Sequence, residues 1–242
     1  MMADDLITAA DLKQLKKVGI SPDQVRTQIA LLKSGLPPLR LHRPATAGDG
    51  IVIIAATEQA KLASLHDDAA GRGRFMKFVP ASGAASRMFI NWQGVLARGG
   101  FDGATGEAKF ADNLHKFAFF PDLQKVIASR GENIEALLKS GNIRQILHDI
   151  LTPQGLSYGR LPKALIKFHT YDNGRQRTAI EEHLVEAALY VADDGRACRL
   201  HFTVSEEHLP VVSRFLEEMR PTYEKQLGVK FQIGLSCQSC AS

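Results

Sequence analysis

In FVPASGAASRMF, residues 78–89, an apolar run stops at Pro80. It gives way to Ala81, Ser82, Gly83, Ala84, Ala85 and Ser86, with Arg87 directly behind. Small side chains let a main chain approach a phosphate closely, and a guanidinium offers a fixed charge with a fork of donors to the phosphate oxygens. The same residues also suit a tight strand-to-helix turn whose arginine is merely solvated. No Gly-Lys-Ser/Thr follows, so the stretch is not a Walker loop, and it lacks the three glycines of a dinucleotide fingerprint.

Other chemistry-bearing residues give less. Cys198, Cys237 and Cys240 make an odd count, and the Cys237–Cys240 pair has no second pair with which to complete a four-ligand zinc site. His169, His183, His201 and His208 fall near strand ends or helix starts without an H-x-x-x-H or H-E-x-x-H spacing. Ser205 and His208 are three apart with Glu206 and Glu207 between them; the reading favoured is a helix cap, the alternative a nucleophile with its base. No metal ligand set is read from the sequence.

These residues need elements to hold them. Phe75–Val79, FMKFV, has the pattern of a buried strand ending at the small-residue stretch. Upstream the chain reads as mainly helical: Ala9–Val18 closing on Gly19, then Ser21-Pro22-Asp23-Gln24 as a capping box with Pro at the first helical position and Gly35 at the end. Ile51–Ile54 reads as a short strand and Thr57 as a cap. ATAGDG, Ala45–Gly50, is either a ligand loop or a Gly-rich turn. Residues 90–160 return to helical periodicity and form an insertion. From Leu161 a second α/β block holds a Thr178–Glu181 capping box opening a helix through Tyr190, and then the strand CRLHFTV. A helix capped by Ser205 follows, ending or kinking at Pro221, before a last strand, Val229–Ser236. This order predicts an α/β fold, a partial Rossmann-like three-layer sandwich with parallel strands, carrying N-terminal helices and a helical insertion. The expected organisation is a helical segment 1–74 and an α/β core 75–242.

With 242 residues, 45% hydrophobic and 23% charged, the chain can bury a substantial core. Its net charge of +4 is dispersed, which suits an anionic small molecule and argues against nucleic acid as a partner. No apolar run approaches the ~18 residues of a membrane span. The acidic start MMADD is unlike a signal peptide, so the expected location is cytoplasmic, with no membrane partner.

Ala81–Met88, followed downstream by Pro162-Lys163-Ala164-Leu165 and Ile180-Glu181-Glu182-His183, resembles the signatures of the nucleotide-diphospho-sugar transferase superfamily. There the first strand ends in A-x-G-x-G-T-R-M and a later P-K-x-L lysine binds substrate phosphate. FVPASGAASRMF, RTAIEEHLVEAALY, HFTVSEEH and GDGI also resemble an uncharacterised bacterial family, a domain of unknown function, over most of the chain. Two departures stand out: Ala85 replaces a signature glycine, and residues 89–161 separate the two motifs where superfamily members have far fewer. The resemblance further implies a longer domain with a central first strand, so a fragment or a shortened member is expected.

What the resemblance implies is binding of a nucleoside triphosphate and a sugar phosphate, with Mg²⁺ as cofactor through ligands not identified in this chain. A sugar-1-phosphate oxygen would attack the α-phosphorus and release pyrophosphate. Arg87 would neutralise the triphosphate and Lys163 the attacking phosphate or the developing charge. The loop Ala81, Ser82, Gly83, Ala84, Ala85 and Ser86 would bind substrate, and Arg175 and Arg177, in a Gly-containing loop before the capped helix, would either join a basic rim or stand on a solvated loop. The alternative is a non-catalytic nucleotide- or phosphate-binding module.

Overall fold

The structure, a computed structural model, describes residues 7–36 and 38–238. The chain divides into a smaller unit ending at Ser64 and a larger one, Leu65–Gln238. In the smaller unit, α1 (Ala9–Val18) and α2 (Pro22–Ser34) start from reciprocal capping boxes at Thr8 and Ser21. Gly19 ends α1 at φ 72°, a left-handed position that costs glycine little. Neither helix buries a residue. The expected Ile51–Ile54 strand reduces to a small paired turn, β1 (Thr46–Ala47) with β2 (Gly50–Ile51). Helix α3 (Ala56–Gly71) opens one residue before Thr57, which lies inside the helix and does not precede it as a cap.

The larger unit is α/β, with parallel strands and helices packed around them. Its sheet has the order β3-β6-β7, all parallel: β3 (Lys77–Pro80), β6 (Ala197–Val204) and β7 (Lys230–Cys237). The alternation of buried and half-buried residues along β6 presents Cys198, Leu200, Phe202 and Val204 to one face. Two helices cover that face, α9 (Ala179–Tyr190) through Ile180 and Leu184, and α10 (Leu209–Leu227) through Val212, Leu216 and Tyr223. Burial raises the pKa of the Cys198 thiol, which behaves here as a core hydrophobe. Among the described residues β3 pairs on one side only, so it is an edge strand and not the central strand that the resemblance implies.

The insertion forms five helices: α4 (Ile90–Arg98), α5 (Ala104–Leu114), α6 (Phe120–Ala128), α7 (Ile134–Lys139) and α8 (Ile143–Leu151). They enclose a second core around Leu114, Leu123, Ile127, Ile146, Leu147 and Ile150. Buried Asp149 of α8 accepts from Arg130 Nη2 at 2.6 Å and Gln145 Nε2 at 3.2 Å, so its charge is compensated. Ala85, Phe89 and Ile166 belong to this core, which backs the small-residue stretch.

Two readings of the second block need correction. Ser205 makes no side-chain cap bond; a 3₁₀ turn, Glu206–His208, leads into α10. The helix does not end at Pro221: α10 runs on to Leu227 and ends at Gly228, because packing through Leu216 and Tyr223 holds it on both sides of the proline. Residues 167–178 form an antiparallel hairpin, β4 (Lys167–Thr170) with β5 (Gln176–Thr178), turned at Asp172-Asn173-Gly174. That Asn-Gly signal was readable in the sequence.

Candidate functional site

In a parallel sheet every strand ends on the same side, where ligands of open α/β sheets bind. The β3–β6 register pairs Pro80 with Thr203, and the β6–β7 register pairs Val204 with Cys237. Continued past the strand ends, it sets Ser82, Ser205 and Gln238 level in one row. Ala81 N donates to Thr203 O at 2.7 Å and Gln238 N to Val204 O at 2.8 Å, carrying the pairing to that row. The Ser82 hydroxyl bonds the Gln238 side chain across the end of β6.

The segment 160–163 meets this row. Lys163 N donates to Gly83 O at 2.9 Å, Ala85 N to Leu161 O at 3.4 Å, and Ala84 bridges to Pro162. Two motifs separated by the whole insertion are therefore joined by main-chain hydrogen bonds. A Cβ built on Gly83 would meet Lys163 Cδ at 3.9 Å, so the lysine stem runs beside the glycine. Lys163 is half-buried and Arg87 exposed, and neither has a salt bridge among the described residues. Ser86 is exposed in the turn before Arg87. Ala85 is only 1% exposed, its methyl packed in the insertion core, which explains an alanine where the resemblance implies glycine.

The other two arginines are held elsewhere. Arg175 donates to Gln226 at 2.9 Å and lies 5.2 Å from the Tyr223 ring centroid. Gln226 sits at the end of α10 that leads into the start of β7, whereas Gln238 follows β7's end, eight strand residues or about 25 Å away. Arg177 pairs with Glu182 at 3.2 Å and stacks 4.6 Å over Tyr171. Burial opposes its charge, yet Glu182 more than offsets this and holds its pKa up. The structure thus brings Gly83 and Lys163 together, while Arg175 and Arg177 engage Gln226, Tyr223, Glu182 and Tyr171.

A feature that sequence reasoning missed adjoins the loop. A cleft of about 340 Å³ is walled by Met88, Phe89, Trp92, Phe117, Phe119 and Phe168, with Lys116 and Lys167 also in its lining. Its walls begin directly after Arg87 and three residues after Lys163. Trp92 meets Phe117 edge-on at 5.3 Å, and Phe117 stacks on Phe119 at 5.1 Å. In the sequence Trp92, Phe117 and Phe119 fall within the helical periodicity of residues 90–160, and only the fold shows the cleft.

As to metal, no group of three or more His, Cys, Asp or Glu side chains is gathered among the described residues. The loop and segment 160–163 contain no carboxylate, so they do not form a site for Mg²⁺ by themselves. Cys240, half of the C-x-x-C pair, lies outside the described residues; Cys237 is exposed and forms no disulfide among the described residues.

The fold and this strand-end crevice define a parallel-sheet α/β protein with a helical insertion supporting its first loop. The chain belongs to the family described as "Domain of unknown function (DUF4301)", which matches residues 8–242. No curated protein and no solved structure matches it. Among the described residues no helix is long and apolar enough to cross a membrane.

Proposed function

We propose that the crevice binds the phosphates of a nucleotide, with its planar base in the aromatic cleft. The carrying observation is the Lys163 N–Gly83 O hydrogen bond, which sets a lysine beside a small-residue loop that ends in Arg87, neither side chain having an ion pair among the described residues. Unpaired cations beside close-approach backbone favour a phosphate, and a base fits a cleft walled by aromatic rings. In the fuller form of this proposal the chain is nucleotidyltransferase-like and a sugar phosphate is the second substrate. Its oxygen attacks the α-phosphorus, the α–β phosphoanhydride bond breaks, and pyrophosphate leaves. Arg87 offsets charge on the triphosphate and Lys163 orients the attacking phosphate, since such transfers depend on positioning and charge more than on a protein nucleophile. Any Mg²⁺ would arrive with the nucleotide, held by its phosphate oxygens and water.

The lack of carboxylates in the loop and segment 160–163 favours a second reading, a nucleotide-binding module without turnover. Calorimetric titration with each nucleoside triphosphate and Mg²⁺ tests binding, and a pyrophosphate-release assay over a panel of sugar-1-phosphates separates the two. Saturable binding with release supports the transferase, and binding without release supports the module. No binding to any triphosphate overturns both.

A further inference from the structure

Ser205 stands in the middle of the strand-end row, and its hydroxyl is not engaged as a cap. Its Oγ lies 2.6 Å from His208 Nδ1. The other ring nitrogen, His208 Nε2, lies 2.9 Å from the Arg160 carbonyl oxygen. A carbonyl can only accept, so Nε2 carries the proton, and in neutral imidazole Nδ1 is left as the acceptor for the serine hydroxyl. This is a nucleophile hydrogen-bonded to a base that a third group orients, with the two ring nitrogens in the reverse of their usual roles. His208 is 7% exposed while Ser205 is half-buried, so the base is shielded and the hydroxyl reachable. Glu207 Oε1, 3.7 Å from Nε2, offers a counter-charge for the imidazolium formed when Nδ1 takes a proton. The orienting carbonyl also belongs to the segment whose Lys163 is bonded to Gly83, so base and cation are fixed by the same four residues.

We propose that Ser205 and His208 are a nucleophile–base pair that attacks phosphorus in a phosphoric ester or anhydride. The Ser205 Oγ–H proton passes to His208 Nδ1 and an Oγ–P bond forms. The bond from phosphorus to the leaving oxygen breaks, and that oxygen departs with the electron pair. Water then attacks the phosphoserine phosphorus: a new P–O bond forms as the Oγ–P bond breaks, His208 Nδ1 returns its proton to Ser205 Oγ, and the proton lost by the water passes to the released phosphate. Phosphorus as the electrophile rests on the phosphate-binding proposal; the activated hydroxyl rests on the Ser205–His208–Arg160 geometry alone.

The test uses an alkyl fluorophosphonate on the intact chain, read by mass spectrometry. Here Oγ–P forms, P–F breaks and fluoride leaves, so labelling reports the serine whether or not a nucleotide binds. The expected result is one phosphonyl adduct, on Ser205, in the folded protein and none after heat unfolding. Ser205→Ala should abolish it while leaving a cooperative melt, and His208→Gln should slow labelling at least tenfold. No adduct on Ser205 of the folded wild-type protein overturns the pair. Labelling of Ser82 or Ser86 as fast as Ser205 does the same, as does unchanged labelling in a folded His208→Gln variant. Where His208→Gln does not fold, the contrast between native and unfolded wild-type protein decides. Labelling of Ser205 in a protein that binds no triphosphate would remove the nucleotide and leave the activated serine standing.

Discussion

Gly83→Ala separates what the fold asks of this loop from what a ligand asks of it. A methyl at position 83 would touch nothing closer than Lys163 Cδ at 3.9 Å, an ordinary van der Waals distance. Gly83 is also not among the glycines with positive φ, so alanine can adopt its backbone. Such a change should stabilise the fold by about 0.4–1 kcal/mol, because alanine leaves the unfolded chain fewer conformations. For a unit of this size that raises Tm by roughly 1–4 °C. The same methyl occupies the space beside the Lys163 stem where phosphate is proposed to approach, so triphosphate affinity should fall about tenfold or more, at least ~1.4 kcal/mol. Differential scanning calorimetry and titration calorimetry on one preparation read both numbers. A destabilised variant with unchanged affinity would refute the reasoning, since glycine would then serve the fold and not a ligand.

Three further outcomes follow from the same geometry. Gly155→Ala would place Cβ 1.9 Å from the Asp149 carbonyl oxygen and 2.6 Å from its carbon, a clash with main chain. It should cost about 3 kcal/mol or more, seen as a lower urea midpoint with the far-UV spectrum kept. Pro221→Ala restores a helical N–H inside α10 and should stabilise by roughly 1–3 kcal/mol in the same titration. Lys77 at 2.5 Å and His183 at 3.1 Å hold the Glu186 pKa below its ordinary 4.5, and the Ala197 N–H with Arg199 does the same for Asp193. Both folded pKa values are depressed, so their stabilisation is present above the ordinary carboxylate range and is lost as pH falls through the folded values. Glu186→Gln should accordingly flatten the acid limb of a Tm-versus-pH curve.

The sequence made local features legible and left shared spacings ambiguous. The Thr178–Glu181 box, the Ser21 box and Gly19 are decided within a few residues, and the structure realises all three. Strand β6 was readable because its alternation serves one covered face. Ser205 and His208 were misread because a three-residue separation fits both a cap and a dyad. Whether the hydroxyl meets an amide or an imidazole depends on Arg160, far off in the chain, which bonds the ring's other side. Pro221 was overweighted because local helix-breaking yields to packing on both flanks. The aromatic cleft was invisible for a related reason: Trp92 lies in α4, Phe117 between α5 and α6, and Phe168 in β4, so no local pattern brings them together. Lys163 entered only through a family resemblance, and no periodicity within the chain marks it as a neighbour of Gly83.

The most direct test of the account is titration of ATP with Mg²⁺, and of the other nucleoside triphosphates, into wild-type protein and Lys163→Ala. The variant keeps the main-chain bond to Gly83 and removes only the ammonium group and its stem. The account predicts saturable binding of at least one triphosphate to the wild type and a Kd raised tenfold or more in the variant, with both proteins melting alike. Equal Kd values in the two proteins, or no binding by the wild type, would contradict it.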